Sequence, residues 1–86
     1  MKYGAVYFEM EKISLIKLAT GRSGIVIEIS GDDAGRRLGY LGIRPGKRIT
    51  KISSHFWGGP VTVRVDKSKV AIGHGIARKI IVEAEI

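Results

Sequence analysis

Cysteine is absent from this chain of 86 residues, which excludes disulfide bonds and thiolate metal sites. The absence also fits a reducing compartment. A chain of this length forms one small domain, and such a domain gains only a modest margin of stability from its core. The hydrophobic fraction of 44% is nevertheless enough to build a core.

Long apolar runs are also missing. No stretch approaches the roughly 20 apolar residues that a bilayer-spanning helix needs. Residues 1–12, MKYGAVYFEMEK, contain a short apolar run interrupted by Glu9 and Glu11, without the longer run and cleavage site of a secretory signal. We therefore expect a cytoplasmic protein that does not insert into a membrane.

Histidine is scarce, and the two that occur are His55 and His74. Stable transition-metal sites use three or four ligands, so two turn histidines predict no metal site. The chain has no Gly-Lys-Ser/Thr phosphate-binding loop, and no carboxylate stands at a meaningful spacing from a histidine or nucleophile. We predict no catalytic residues, no cofactor and no enzymatic activity.

Positive charge is present in excess, with 15 basic and 8 acidic residues giving a net charge of +7. Such a charge favours an anionic partner, which is nucleic acid, an anionic membrane surface or an acidic protein face. A soluble domain with a merely lysine-rich surface is the simpler alternative.

Short apolar runs separated by glycine predict a small all-β barrel or sandwich. In residues 23–30 the alternation puts Ile25, Ile27 and Ile29 on one face of a strand. In residues 47–53 the apolar positions Ile49 and Ile52 are three apart, which predicts a bulge. The remaining strands are predicted at residues 60–65, 69–73 and 79–86.

Two of these strands carry a core-facing pattern, and a polar turn at residues 66–68 precedes the strand at 69–73. The strand at 60–65 alternates with valine on one face. The last strand has either an even-numbered apolar set or the opposite phase through Ile81. The valines are Val61, Val63 and Val65, and the even-numbered set is Ile80, Val82 and Ala84.

The segment GRRLGYLGIRPGKRI, residues 35–49, follows two aspartates that can cap a helix, Asp32 and Asp33. Ala34, Leu38 and Leu41 share one face of a helix predicted over residues 33–41. Gly42 ends this helix, and Pro45-Gly46 makes a turn. Gly35 and Gly39 weaken it, which suggests the close approach of a backbone or a partner.

Aromatic residues are few, and two of them precede Gly58-Gly59-Pro60. Either Phe56 closes the core with Trp57 lying over the hairpin, or the pair is exposed and binds a base or a protein, with Trp57 the better candidate for an exposed anchor. The segment GAVYFEM, residues 4–10, contains Tyr7 and Phe8. Three alternatives are open for this segment: it adds an edge strand to the barrel, it pairs with its copy in a homodimer, or it does not pack against the domain.

Four segments occur in one order: ISLIKLATGRSGIVIEI, GRRLGYLGIRPGKRI, WGGPVTVRV and ARKIIVE. Together they resemble the ferrous iron transport protein A (FeoA) family over about residues 13–83. The most specific part runs from Arg36 to Gly46 and is followed by Gly58-Gly59-Pro60. Residues 1–12 form an extension to a domain at 13–86, and residues 73–78 replace the regular helical turn expected before the last strand.

The resemblance implies an SH3-like β-barrel with one short inserted α-helix. It also implies an accessory protein of ferrous iron uptake that binds and modulates a FeoB-type permease, which carries a cytoplasmic GTPase domain. Arg37, Tyr40, Arg44 and Trp57 are the predicted partner-binding residues. Two alternatives remain: a nucleic-acid-binding SH3-like module, in which Arg36, Arg37, Arg44 and Arg48 would bind phosphate, and the regulatory domain of a metal-dependent repressor.

Overall fold

The structure is a computed structural model that describes residues 10–55 and 57–85. Six strands form one antiparallel sheet in the spatial order β1-β6-β2-β3-β4-β5, with a helix inserted between β2 and β3. This is the mainly-β architecture that the sequence predicted. The strands are β1 (Met10–Ser14), β2 (Ser23–Ile29), β3 (Arg48–Ser53), β4 (Val61–Val65), β5 (Ser68–Ile72) and β6 (Ile80–Glu85), and the helices are α1 (Asp32–Tyr40) and α2 (His74–Ala77).

The core lies on the inward face of this sheet, where β4 and β6 contribute alternate residues. The even-numbered phase predicted for the last strand is confirmed, because Ile80, Val82 and Ala84 are buried. The three alternating valines of β4 are buried as well. Asp66 begins the tight turn into β5 with a φ of 53°, which lets Val65 pair with Ser68.

The predicted phase of β2 is wrong in the first half of the strand. Val26 is fully buried, whereas Ile25 points outward and is 36% exposed. Gly24 lies close against β6, because a Cβ atom there would lie 3.1 Å from the Glu83 carbonyl oxygen. Only glycine lets β2 approach β6 this closely, and the register of the two strands shifts between Val26 and Glu28. After this shift Ile29 packs against the core as predicted, and both Ile27 and Ile29 are half-buried.

The bulge predicted for β3 is confirmed by a register shift against β4 between Lys51 and Ser53. The inward position between Ile49 and the bulge is occupied by Lys51, which is only 3% exposed. Its Nζ atom donates to the carbonyls of Leu15, Ile16 and Leu18 at 3.2, 2.8 and 2.8 Å. These carbonyls belong to the short 3-10 turn Leu15–Lys17 and its end, so Lys51 ties that turn to β3.

Burial lowers the pKa of Lys51 below its ordinary value of 10.5. The ammonium group has no carboxylate within ion-pair distance among the described residues, and backbone carbonyls take all three of its donors. Lys51 is therefore a structural lysine that satisfies the end of a helical turn, not a surface charge.

The beginning of α1 differs from the prediction. Gly31, with a φ of 89°, is the N-cap residue, and no side chain caps the helix. Asp32 and Asp33 instead occupy the first turn, where their charges still face the positive end of the helix dipole. Asp33 also forms an exposed pair with Arg36 at 3.6 Å, a geometry that contributes little to stability.

Residues 73–78 do form a single helical turn, α2, contrary to the expected departure from the family pattern. β1 begins at Met10 and pairs with β6, so residues 10–12 of the predicted extension are part of the sheet.

Tyr7, Phe8 and Phe56 lie outside the described residues, so the roles predicted for them stay predictions. Within the described residues, no helix is long and apolar enough to cross a bilayer.

Candidate functional site

The C-terminal end of α1 is closed by a specific backbone motif. The Ile43 N–H donates to the Leu38 carbonyl at 2.9 Å, and the Gly42 N–H donates to the Gly39 carbonyl at 3.1 Å. Gly42 has a φ of 86°, so the chain reverses there in the left-handed conformation, as predicted. This is the Schellman arrangement, and the side chains of Leu38 and Ile43 both enter the core.

Leu41 does not belong to the buried face, contrary to the prediction. Ala34 and Leu38 are buried, but Leu41 is 51% exposed. The reason is the reversal at Gly42, because Ile43 follows it into the core and is fully buried. Helical periodicity extended beyond the last helical residue therefore predicted the wrong side chain.

This helix exit displays three of the four predicted partner-binding residues. Tyr40 is 83% exposed, and Arg37 and Arg44 are exposed on either side of it in the sequence. Leu41 adds half-exposed apolar surface beside Tyr40. We call Arg37, Tyr40, Leu41 and Arg44 the helix-exit surface.

The fourth predicted residue lies elsewhere. Trp57 is 92% exposed and belongs to the turn that joins β3 to β4. Arg44 precedes the opposite end of β3, because the Pro45-Gly46 turn leads into that strand at Arg48. Trp57 and Arg44 therefore flank opposite ends of β3, and six strand residues rise about 20 Å.

The arginines of the helix-exit surface are free of ion pairs with the described residues. The two ion pairs in the described part of the chain join Arg36 to Asp33 and Lys47 to Asp66, the latter at 2.8 Å. Arg37 and Arg44 therefore keep their guanidinium groups available for a carboxylate or phosphate of a partner.

The two glycines of α1 are not explained by contacts with residues 10–55 and 57–85. A Cβ atom at Gly35 or Gly39 would meet nothing within 4 Å. Close approach of the protein's own backbone is thereby ruled out as the reason for these glycines in the described structure. Approach by a partner is the part of the expectation that stays open.

The two histidines, distant in sequence, lie against the same turn. A Cβ atom at Gly58 would be 3.8 Å from Nδ1 of His74, and one at Gly59 would be 3.2 Å from the His55 side chain. Residues 10–55 and 57–85 contain no group of three or more His, Cys, Asp or Glu side chains arranged to hold a metal ion. The two imidazoles therefore lie beside the turn that carries Trp57.

Residues 13–84 match the sequence model of the FeoA domain family. Curated protein sequences gave no significant match. Among solved structures, the iron uptake regulatory protein FeoA is 31% identical with a TM-score of 0.79, and the match covers 88% of this chain and all of that one.

Two further solved structures are similar in fold. FeoA of Stenotrophomonas maltophilia, described as a prokaryotic SH3-domain protein complexed with zinc, is 24% identical, with a TM-score of 0.69 and coverage of 81% of this chain and 88% of that one. A manganese-dependent transcriptional repressor is 25% identical, with a TM-score of 0.78. That match covers 85% of this chain but only 41% of the repressor.

Proposed function

Since this chain belongs to the FeoA domain family, we propose that it is a cytoplasmic accessory protein of ferrous iron uptake that binds a FeoB-type permease. The proposal rests on the family match and on the helix-exit surface. The proposal assigns the binding domain to residues 13–86 and an extension to residues 1–12, of which Met10–Lys12 join the sheet. Binding modulates the permease through protein contact, without catalysis by this chain.

The observation that carries the proposal is the exposure of Tyr40, at 83%, between two arginines that form no ion pair with any described residue. Tyrosine and arginine are enriched among residues that dominate interface energies, because each covers a large area and the guanidinium can fork onto a carboxylate. Leu41 adds apolar area that is otherwise in contact with water. A protein surface with an acidic rim and an apolar centre fits this arrangement.

Trp57 is proposed as a second anchor of the same interface. A standard interface covers about 800 Å² on each partner, which corresponds to a patch roughly 30 Å across. A strand length of about 20 Å separates Trp57 from Arg44, so one such patch reaches both. Binding that depends on Tyr40 but not on Trp57 would limit the interface to the helix exit.

Affinity capture from detergent-solubilised native membranes tests the proposal, with and without ribonuclease. The tagged domain should recover the ferrous permease under both conditions, and Tyr40→Ala/Arg44→Ala should recover much less. Lys17→Ala/Arg78→Ala, which alters exposed positions away from the helix exit, is the control that should match the parent. Recovery of RNA without the permease would favour the nucleic-acid alternative.

A second candidate follows from the repressor of similar fold. The chain resembles about two-fifths of that protein, so a regulatory module that contacts a metal-dependent DNA-binding protein is the competing function. The same capture experiment separates the two, because a regulatory module would recover a DNA-binding protein from the soluble fraction.

A further inference from the structure

The charges of the sheet are separated between its two halves. β3, β4 and β5, with sequences RITKIS, VTVRV and SKVAI, contain no acidic residue. The acidic residues of the sheet, Glu11, Glu28, Glu83 and Glu85, lie in β1, β2 and β6. The strands of the other half carry only basic charges, and Asp66 in the turn between β4 and β5 is paired with Lys47.

The basic side chains of that half point to one side. In β4 the valines are buried and Arg64 is exposed, and in β5 Lys69 is exposed while Ile72 is buried. Arg48 is likewise exposed in β3, next to the buried Ile49. We call Arg48, Arg64 and Lys69 the basic sheet face; the fourth basic residue of these strands, Lys51, points inward.

Two members of this face lie directly opposite each other. Arg64 and Lys69 are cross-strand partners in the register of β4 and β5. Like charges in this position are destabilising, and neither residue has an ion-pair partner among the described residues. Folding alone gives no reason for this juxtaposition, whereas an external anion would turn it into a favourable one.

The surface between the basic groups is composed of small residues. Thr50 is the cross-strand neighbour of Arg64 on the β3 side, and its hydroxyl bonds to Ser23 at 2.6 Å. Thr62 pairs with Ala71 on the same outward side. Long basic side chains thus stand above a low surface of hydroxyl and methyl groups.

We propose that the basic sheet face binds the anionic phospholipid surface of a membrane, as a peripheral contact without insertion. A plane of lipid phosphates complements long cations on a low sheet face, and each Lys or Arg near an anionic bilayer strengthens binding about fivefold. The three strands contain no aromatic residue on which a base could stack. The inference rests on the charge distribution and not on the identity of the proposed permease partner.

Flotation of the full chain with lipid vesicles tests the inference. Phosphatidylcholine vesicles with and without phosphatidylglycerol are the probes, at low and at physiological salt. We expect binding only to the anionic vesicles, weakened by salt, and a loss of roughly 25-fold in Arg64→Gln/Lys69→Gln. The thermal midpoint of this variant should equal or exceed that of the parent, because a like-charge pair is removed.

A matched control separates the face from the overall charge. Lys17→Gln/Arg78→Gln removes the same number and kinds of charge from exposed positions outside β3–β5, and it should keep nearly parental vesicle binding. Equal losses in the two variants would mean that net charge alone drives binding, which overturns the inference. Absence of vesicle binding overturns it too, as does tight binding to duplex DNA or RNA that outcompetes the vesicles.

Discussion

The backbone N–H of Ile43 donates to the carbonyl of Leu38 at 2.9 Å, and both side chains are buried. This pair fixes where α1 ends and turns the intervening residues outward. Tyr40 and Leu41 are exposed because the chain reverses at Gly42. Ile43, rather than Leu41, then occupies the core position next to Leu38. The same motif that completes the fold therefore creates the helix-exit surface.

Leu38 and Leu41 should differ sharply when truncated. Leu38→Ala removes a side chain that is 3% exposed and should lower the free energy of unfolding by about 2–5 kcal/mol. Leu41→Ala removes one that is half-exposed and should cost less than half of that. Urea unfolding of both variants measures the difference, and equal costs would mean that the end of α1 is packed differently.

Gly39 should tolerate a methyl group in the isolated domain. Nothing among the described residues lies within 4 Å of a Cβ atom there, so Gly39→Ala should stabilise α1 by about 1 kcal/mol. If the permease approaches the helix closely, the same variant should bind it more weakly despite its higher thermal midpoint. Gly35→Ala, one turn earlier, is the matched comparison, and equal binding by parent and both variants would exclude close approach at either glycine.

Lys51→Met should destabilise the protein although it removes a buried charge. The substitution leaves the carbonyls of Leu15, Ile16 and Leu18 without their common donor, which should cost about 2–4 kcal/mol. Amide hydrogen exchange should show faster opening of the 3-10 turn than of β4. A variant as stable as the parent would show that these carbonyls accept hydrogen bonds from water instead.

The pH dependence of the same variant follows from the direction of the pKa shift. Burial lowers the pKa of Lys51 in the folded protein, so between that pKa and 10.5 the unfolded chain binds more protons than the folded one. The free energy of unfolding of the parent therefore gains from Lys51 as pH rises through this window. The stability advantage of the parent over Lys51→Met should widen with alkaline pH, and a narrowing advantage would show that the carbonyl bonds raise the pKa instead.

The strand pattern was largely predictable because alternation carries most of the information. Val61, Val63 and Val65 point into the core as their spacing indicated, and the irregular spacing of Ile49 and Ile52 correctly predicted a bulge. Ile25 was assigned to the wrong face, because the register shift against β6 between Val26 and Glu28 is a tertiary feature that periodicity does not contain.

The candidate site was predictable only in part. Tyr40 and Trp57 are exposed as expected. Their relative position depends on the topology, because β3 connects the segment after the helix exit to the turn that carries Trp57. Nothing in the sequence indicated that Lys51 is buried, since its carbonyl partners belong to a turn far away in the sequence. The basic sheet face was missed for a similar reason, because Arg64 and Lys69 become neighbours only through the register of β4 and β5.

Charge at the helix exit should govern the rate of association with the permease. Arg37→Glu or Arg44→Glu should slow association, because each substitution reduces the positive charge that attracts an acidic partner to this protein, whose net charge is +7. The deficit should shrink as ionic strength rises. Surface plasmon resonance on immobilised permease at two salt concentrations measures it, and a deficit that does not change with salt would point to a lost contact rather than to steering.

The most direct test of the permease interface is the dissociation rate of Tyr40→Ala, measured on the same immobilised permease. Its thermal melt must match that of the parent, which the 83% exposure of Tyr40 makes the expected result. We predict that dissociation becomes at least about tenfold faster, and that Trp57→Ala also dissociates faster if its turn is the second anchor. Parental kinetics in folded Tyr40→Ala, Trp57→Ala, Arg37→Glu and Arg44→Glu would contradict the account and place the interface elsewhere.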